Sequence, residues 1–276
     1  MATNQAFEIL RKAGGVRAAR IVLAYMENKE KRIKKEFLFG RFFFAVYSFF
    51  FVRSAKRLLR KGVPVAKIIG EKWFYGLPFC TNKWTLDPRP DSEALVGAVI
   101  AENAGHSPLR ILDLGTGTGC LISAIAANLP NAAGVGIDKS ARAARVAKRN
   151  VENLGLADRI RIMRGDFESG LAVGKFDIIV SNPPYIAAGD ARLNIGARHD
   201  PKIALYAGDG GLAAYKAIAR NARAWIRPHG KIYLEIGRGQ GDDARDIFAR
   251  MGWAFLKSWN DLAGIERVLS FKRLAN

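Results

Sequence analysis

The chain has 276 residues, 49% of them hydrophobic, and a formal net charge of +19 at pH 7. This length and composition suit one large folded domain with a small one, and they exclude a disordered or low-complexity chain. Only two cysteines and three histidines occur, without a Cys-x-x-Cys pair or a metal-ligand cluster, so we expect no bound metal.

The first 70 residues are predicted to be helical, and they are strongly basic. They contain 16 Lys and Arg against 4 Asp and Glu, a net charge of +12, whereas the rest of the chain contributes +7. This bias favours an acidic partner, such as RNA, the ribosome, an anionic membrane surface or an acidic protein, although a merely solvated basic face has the same composition.

An apolar run, Phe42–Val52, lies within this basic segment. It has 11 residues, whereas a helix that crosses a bilayer needs about 20. We therefore expect a buried helix of a small bundle and no transmembrane segment, with interfacial membrane contact as an open alternative. Because no secretory signal is visible, a cytoplasmic location is expected, and an organelle matrix is not excluded.

Residues 71–92 are predicted to be a linker, because aromatic residues and turn signals are frequent there. At its end, Asp91 and Ser92 are candidates for capping the helix that begins at Glu93. From Leu109 onward, predicted strands and helices alternate, which indicates an α/β fold with a mostly parallel sheet. Two final strand-like runs, 253–259 and 267–272, predict an antiparallel hairpin at one edge of that sheet.

A glycine turn joins a strand at Leu109–Leu114 to a helix that begins near Cys120. The turn consists of five residues whose backbone can approach a ligand closely: Gly115, Thr116, Gly117, Thr118 and Gly119. The next strand ends in Asp138, whose carboxylate can accept both ribose hydroxyls of a nucleoside. The turn lacks the third glycine of the Gly-x-Gly-x-x-Gly dinucleotide motif, which disfavours NAD and favours S-adenosylmethionine.

The sequence Ser-Asn-Pro-Pro-Tyr at residues 181–185 follows an apolar run that is typical of a buried strand. Pro183 ends this strand because proline cannot donate to a sheet ladder. The segment then lies at the C-terminal edge of the sheet, where open α/β sheets bind ligands. The amide of Asn182, a proline carbonyl and the ring of Tyr185 together suit a flat NH2 group, whose nitrogen they would direct at an electrophile.

From Pro64 to the C-terminus the sequence resembles the HemK-type protein-glutamine methyltransferases, which modify the glutamine of the Gly-Gly-Gln loop in class I peptide-chain release factors. The resemblance rests on these blocks: Pro64–Ala66, Ile69–Gly70, Phe74–Phe79, Pro88–Glu93, Gly115–Gly119, Asn182–Ile186, Asp209–Leu212 and Leu234–Gly237. Residues 1–60 depart from the usual N-terminal domain of that family, because they are more basic and richer in phenylalanine.

The resemblance implies a class I S-adenosylmethionine-dependent methyltransferase, which is an α/β protein with a Rossmann-like, mostly parallel seven-stranded sheet and a small N-terminal helical domain. The expected domains are a basic helical substrate-recognition domain over 1–70, the linker over 71–92 and the catalytic domain over 93–276. The expected partner is a class I release factor, with RNA or ribosome contact through the basic N-terminal domain.

The resemblance also implies roles in cofactor binding. The glycine turn, Gly115–Gly119, would hold the methionine part of S-adenosylmethionine, and Asp138 would hold the ribose. Asp166 and Phe167 would contact the edge and the face of the adenine. Asn182 would border the cofactor where the methyl group is transferred.

The substrate amide is expected to bind to Asn182, Pro183, Pro184 and Tyr185. The side-chain oxygen of Asn182 and the carbonyl of Pro183 would accept its two N–H bonds, while Tyr185 would pack against its flat face. Positioning and electrostatics would then carry the catalysis, with Asn182, Pro183 and Tyr185 as the catalytic residues. Two strand acids, Asp113 and Glu235, are interpreted as structural.

Three alternatives remain at this point. Enzymes that methylate a glutamine of a ribosomal protein are similar, but they usually lack the Pro-Arg-Pro-Asp sequence found at residues 88–91. A nucleic-acid adenine amino-methyltransferase fits the +19 charge and the Asn-Pro-Pro-Tyr motif, but no extra target-recognition domain is expected after the catalytic core. A non-catalytic protein that binds RNA or ribosomes is disfavoured by the complete cofactor motif.

Overall fold

The protein is described by a computed structural model that covers residues 3–36, 40–105, 108–190 and 196–274. It divides into two compact units. The first comprises Met1–Glu71 with Leu193–His199, and the second comprises Lys72–Arg192 with Asp200–Asn276.

The first unit is built from helices. They are α1 (Thr3–Glu36), α2 (Gly40–Arg60) and the short α3 (Val65–Ile69). Helix α1 bends at Gly15, whose φ of 81° lies in the left-handed region that glycine adopts without strain. The helices enclose a small apolar core, whose fully buried members include Leu10, Ala19, Val22 and Ala55.

The apolar run in α2 is only partly buried. Val52 and Ser48 lie in the interior, but the side chains of Phe49 and Phe50 are 46% and 64% exposed. The expected buried helix is therefore correct for one face of α2 and wrong for the other, because three consecutive aromatic residues cannot all point inward on a helix. Within the described ranges, no helix is long and apolar enough to cross a membrane.

All but the first residue of a two-stranded hairpin, β1 (Glu71–Phe74) and β2 (Leu77–Cys80), belongs to the second unit. Tyr75 and Gly76 form the turn with φ values of 49° and 75°, as tight two-residue hairpins require. Phe74 and Phe79 from this hairpin belong to the core of the second unit. The segment predicted as a linker thus contains two strands. Each has only four residues, too few for an alternation of apolar and polar residues to reveal it in the sequence.

A seven-stranded sheet forms the centre of the second unit. Its strands are β3 (Arg110–Leu114), β4 (Ala133–Asp138), β5 (Ile160–Arg164), β6 (Phe176–Ser181), β7 (Ile226–Glu235), β8 (Trp253–Asn260) and β9 (Glu266–Arg273). Their order is β5-β4-β3-β6-β7-β9-β8. The first five are parallel, and β9 runs antiparallel to both β7 and β8. The predicted fold class and the antiparallel edge hairpin are both confirmed.

Helices cover both faces of this sheet, as expected for parallel strands. They are α4 (Glu93–Asn103), α5 (Cys120–Asn128), α6 (Ala141–Asn153), α7 (Ala213–Asn221) and α8 (Gly241–Arg250). Alternate strand residues belong to different cores: Ile111 and Ile178 pack in the core that includes α4 and α5, while Leu112 and Ile179 pack in the core that includes α7 and α8. Helix α7 ends at Asn221, because Ala222–Ala224 forms a separate turn before β7.

Candidate functional site

The glycine turn and the Asn-Pro-Pro-Tyr segment meet at one edge of the sheet. Leu114 and Ser181, the last residues of β3 and β6, are partners in the parallel register. The Oγ atom of Ser181 also donates to the carbonyl of Leu114 at 2.7 Å. Strand order reverses between β3 and β6, and open α/β sheets bind ligands at such a switch point. The two motifs therefore border one pocket.

Asp138 stands at the end of β4 with its carboxylate held by backbone groups. Its Oδ2 accepts from the N–H of Gly117 at 2.9 Å, and its Oδ1 accepts from the N–H of Ser140 at 2.8 Å. Burial raises the pKa of Asp138 above its ordinary value, although these two backbone hydrogen bonds oppose the shift. Gly117 has a φ of 57°, which permits this close approach. The carboxylate is thus fixed at the pocket before any ligand binds.

The pocket brings together seven of the predicted site residues: Gly115, Gly117, Asp138, Asp166, Phe167, Asn182 and Pro184. Five others lie outside its lining: Thr116, Thr118, Gly119, Pro183 and Tyr185. Thr116 is buried and donates to Asp113 Oδ2 at 2.6 Å, a hydrogen bond that stabilises the glycine turn. Gly119 begins α5 with a φ of 77°.

Asp166 and Phe167 follow β5 and form one wall of the pocket. Lys139 Nζ lies 2.7 Å from Asp166 Oδ2. The pKa of Asp166 lies below its ordinary value, because this ion pair outweighs the opposing effect of burial. The carboxylate is therefore available as an acceptor at neutral pH, beside an aromatic ring.

Asn182 reaches the pocket with a defined orientation. Its Nδ2 donates to the Oγ of Ser92 at 3.0 Å, which leaves Oδ1 as the free acceptor of the side chain. The prediction that Asp91 and Ser92 cap the next helix is wrong, since Ser92 stands at the N-cap position of α4 without a side-chain capping bond. Asp91 instead pairs with Arg267 at 3.2 Å.

Tyr185 is half-buried away from the pocket lining. Its carbonyl accepts from Gln240 Nε2 at 3.0 Å, and its ring passes so close to Gly237 that a Cβ there would lie 3.0 Å from it. Burial raises the pKa of its hydroxyl. The predicted contact between this ring and the substrate amide stays a prediction.

Sequence reasoning missed a second set of lining residues. They are mainly apolar or uncharged and come from two segments: Trp84, Thr85, Leu86, Ile203, Ala204, Tyr206 and Ala207. Trp84 is held by the guanidinium of Arg142, whose Cζ lies 3.7 Å from the ring centroid. Single apolar residues in loops carry no periodic signal, so only the folded chain reveals them.

Asn150 is a further residue that the sequence analysis did not identify. It is fully buried on α6, where its Oδ1 accepts from the N–H of Cys80 and its Nδ2 donates to the carbonyls of Cys80 and Thr118, at 2.8, 2.9 and 2.9 Å. It therefore joins the hairpin strand β2 to the glycine turn.

We expect Asn150→Ala to lower the free energy of unfolding by about 1–3 kcal/mol, because it leaves buried backbone groups without partners. Urea unfolding of both proteins measures this difference. Asn131→Ala, at an exposed turn, is the matched control and should change stability little. An Asn150 variant as stable as the parent protein would show that water replaces the three hydrogen bonds.

Comparison with known proteins finds methyltransferases, as the arrangement of the pocket predicts. The methyltransferase small domain model matches residues 90–199. Release factor glutamine methyltransferases of Agrobacterium fabrum and Rhodospirillum rubrum are 40% and 42% identical over 77% of this chain, which spans 75% and 65% of their lengths. A bifunctional methyltransferase of Rickettsia felis is 36% identical over 80% of the chain, which spans only 48% of that relative.

The chain belongs to the release factor glutamine methyltransferase family. Solved structures agree on the fold: a methyltransferase from Pyrococcus furiosus has a TM-score of 0.54 at 18% identity and covers 81% of this chain and 98% of its own. The human Mettl16 catalytic domain in complex with an RNA hairpin has a TM-score of 0.58 at 17% identity, over 73% of this chain and 77% of that one. Identities this low establish the class I methyltransferase fold alone.

Membership of the release factor glutamine methyltransferase family identifies the protein as a methyltransferase with S-adenosylmethionine as methyl donor. The pocket fits this cofactor. Asp138 has both carboxylate oxygens held at the pocket, Phe167 contributes an aromatic ring to its lining, and the glycine turn lies open, since a Cβ on Gly115 would meet nothing nearer than 4.0 Å. In the described part of the chain, no group of His, Cys, Asp and Glu is arranged to hold a metal ion.

Proposed function

We propose that the protein transfers a methyl group from S-adenosylmethionine to the side-chain amide nitrogen of the glutamine in the Gly-Gly-Gln motif of class I peptide-chain release factors. The observation that carries the proposal is the oriented amide of Asn182, whose acceptor oxygen is free beside the cofactor pocket. Family membership supports the choice of glutamine as substrate.

An amide nitrogen is a weak nucleophile, because its lone pair is delocalised into the carbonyl group. Asn182 Oδ1 and the carbonyl of Pro183 would accept the two N–H bonds of the substrate amide, which increases electron density on nitrogen and fixes the direction of approach. When bound, S-adenosylmethionine supplies an electrophilic methyl group. Pro183 and Pro184 hold their backbone rigidly, so the acceptors do not reorganise during the reaction.

The roles of the cofactor-binding residues form part of the same proposal. The glycine turn would hold the methionine part, Asp138 the ribose hydroxyls, and Asp166 with Phe167 the adenine. Thr116 would act indirectly, through the hydrogen bond to Asp113 that supports the turn. Tyr185 would contribute its ring at the rim of the substrate site.

A methyl-transfer assay with labelled S-adenosylmethionine tests the proposed function. We expect label in an intact class I release factor, and none in the same factor after its Gly-Gly-Gln glutamine is replaced by glutamate. Ribosomal protein, RNA and DNA are offered in parallel. Label that enters nucleic acid or ribosomal protein, but not release factor, would contradict the proposal.

The basic first unit is proposed to attract an acidic partner, either the release factor itself or RNA of the ribosome. Arg53, Arg57 and Arg60 are exposed on one face of α2, since residues at i, i+4 and i+7 share a helix face. Because release factors act where proteins are synthesised, the proposal includes a location in the cytoplasm or in an organelle matrix.

Salt dependence should reveal this attraction. The Debye length is about 10 Å at 0.1 M salt, so steering by the basic face weakens as salt rises. We expect kcat/KM for intact release factor to fall about tenfold or more between low and moderate salt, while activity on a short Gly-Gly-Gln peptide changes little.

Paired charge removal identifies the surface responsible. The double variant Arg53→Gln with Arg57→Gln should have a weaker salt dependence on intact release factor. Arg145→Gln with Arg149→Gln, which removes two exposed arginines from α6, is the matched control and should retain it. A rate on intact substrate that does not change with salt would assign the charge to another partner or to none.

A further inference from the structure

The side chain of Gln240 holds the backbone at the downstream end of the Asn-Pro-Pro-Tyr segment. Its Nε2 donates to the carbonyl of Tyr185 at 3.0 Å. Its Oε1 accepts from the hydroxyl of Tyr215 at 2.8 Å and from the N–H of Gly237 at 3.1 Å. The hydroxyl of Tyr215 also accepts from the N–H of Gly237, at 3.1 Å. Tyr215 and Gly237 are buried and Gln240 is half-buried, so these hydrogen bonds are largely protected from water.

The orientation of the Gln240 amide follows from its backbone partners. A backbone carbonyl can only accept a hydrogen bond, and a backbone N–H can only donate one. The NH2 group must therefore face Tyr185, and the amide oxygen must face Gly237. Gln240 stands at the N-cap position of α8, yet its side chain makes no capping bond there. Its amide thus serves the Asn-Pro-Pro-Tyr segment and not the start of its own helix.

The carbonyl of Tyr185 lies in a narrow space between two glycines. A Cβ on Gly211 would collide with this carbonyl oxygen, and a Cβ on Gly237 would collide with the amide of Gln240. Glycine at both positions lets the backbone approach this closely. Close packing on one side and the hydrogen bond from Gln240 on the other leave the carbonyl little room to move.

The two prolines link the position of this carbonyl to the acceptor upstream. Pro183 and Pro184 have no N–H, so they cannot anchor the backbone by donating hydrogen bonds. Beyond them, the backbone is held at the carbonyl of Tyr185 and at the N–H of Ile186, which donates to the carbonyl of Leu205 at 2.9 Å. Because the φ angle is fixed at both prolines, few torsions can absorb a shift at Tyr185 before it reaches the carbonyl of Pro183.

We propose that Gln240 is a positioning residue, which holds the carbonyl of Tyr185 so that the carbonyl of Pro183 is presented to the substrate amide in a fixed direction. The inference rests on the proposed function, in which the carbonyl of Pro183 accepts one N–H bond of the glutamine side chain. Gln240 does not line the pocket, so it contacts neither substrate nor cofactor in this scheme. It acts through the backbone of Tyr185.

The test begins with Gln240→Met, which keeps the length of the side chain and removes both polar atoms. We expect kcat on intact release factor to fall about tenfold or more, because a misplaced orienting group slows the chemical step. KM for release factor and the calorimetric affinity for S-adenosylmethionine should be nearly unchanged, since Asp138 and the glycine turn remain. Gln5→Met makes the same substitution at an exposed position of α1 and should behave as the parent protein.

Tyr215→Phe separates positioning from stability. It removes a buried hydroxyl that bonds both Gln240 and Gly237, so the urea midpoint of unfolding should fall. Gln240 can still donate to Tyr185 in this variant, because its oxygen keeps the N–H of Gly237. We therefore expect Tyr215→Phe to be destabilised and yet to retain most of its kcat. A fall in kcat that follows the loss of stability equally in Tyr215→Phe and Gln240→Met would contradict the proposal.

A second variant keeps the test decisive if Gln240→Met does not fold. Gln240→Glu preserves the shape and the acceptor but loses the donor to Tyr185, so its kcat should also fall when it is assayed above neutral pH, where a carboxyl group is ionised. A parent protein that does not methylate the glutamine contradicts the proposed function, and this inference with it. An active parent whose kcat is unchanged in the folded Gln240 variants contradicts the positioning role alone.

Discussion

Asn182→Ala is expected to lower kcat for methyl transfer to release factor at least about 100-fold, the effect of removing one preorganised polar contact from a transition state. The loss should fall on kcat because, in the proposed mechanism, the missing acceptor would localise the lone pair of the substrate nitrogen. Single-turnover kinetics with labelled cofactor measure it directly. Calorimetry should show that S-adenosylmethionine still binds, since Asp138 and the glycine turn remain.

Asn131→Ala is the matched control for this experiment, because it makes the same substitution at an exposed turn that does not line the pocket. Its kcat should equal that of the parent protein. Near-normal turnover by Asn182→Ala on a glutamine substrate would mean that Asn182 does not orient the amide, and would transfer that role to backbone carbonyls such as that of Pro183.

Asp138→Ala is expected to weaken binding of S-adenosylmethionine by about 1.5–3 kcal/mol, as for hydrogen bonds to a charged acceptor. Two effects combine in this variant. The ribose hydroxyls would lose their proposed acceptor, and the N–H groups of Gly117 and Ser140 lose the carboxylate that holds the turn in place. Isothermal calorimetry with the cofactor or its demethylated product gives the affinity.

Asp158→Ala, which removes an exposed acid outside the pocket, is the control for charge alone and should leave the affinity unchanged. NAD should not bind to any of these proteins, because the turn lacks the third glycine of the dinucleotide motif. Detectable NAD binding, or an Asp138 variant with full cofactor affinity, would contradict the assignment of this carboxylate to the ribose.

Local sequence patterns were sufficient for much of the fold. The apolar run of β6, ended by Pro183, and the glycine turn between β3 and α5 depend mainly on residues adjacent in the chain. Ser140, at the N-cap of α6, is equally local, since its side chain accepts from the N–H of Ala143. The hairpin at 71–80 was missed, because its formation depends on burying Phe74 and Phe79 in a distant core.

By itself, the sequence determined the class of fold and the cofactor, and it predicted the residues that are proposed to carry the chemistry. Only the tertiary structure decided how those residues meet: Ser181 pairs with Leu114, and Asn182 donates to Ser92. The physical reason is the distance along the chain over which each interaction acts. Strand, turn and helix preferences arise from near neighbours, whereas strand register and the partner of a buried polar side chain depend on long-range packing, which no single segment specifies.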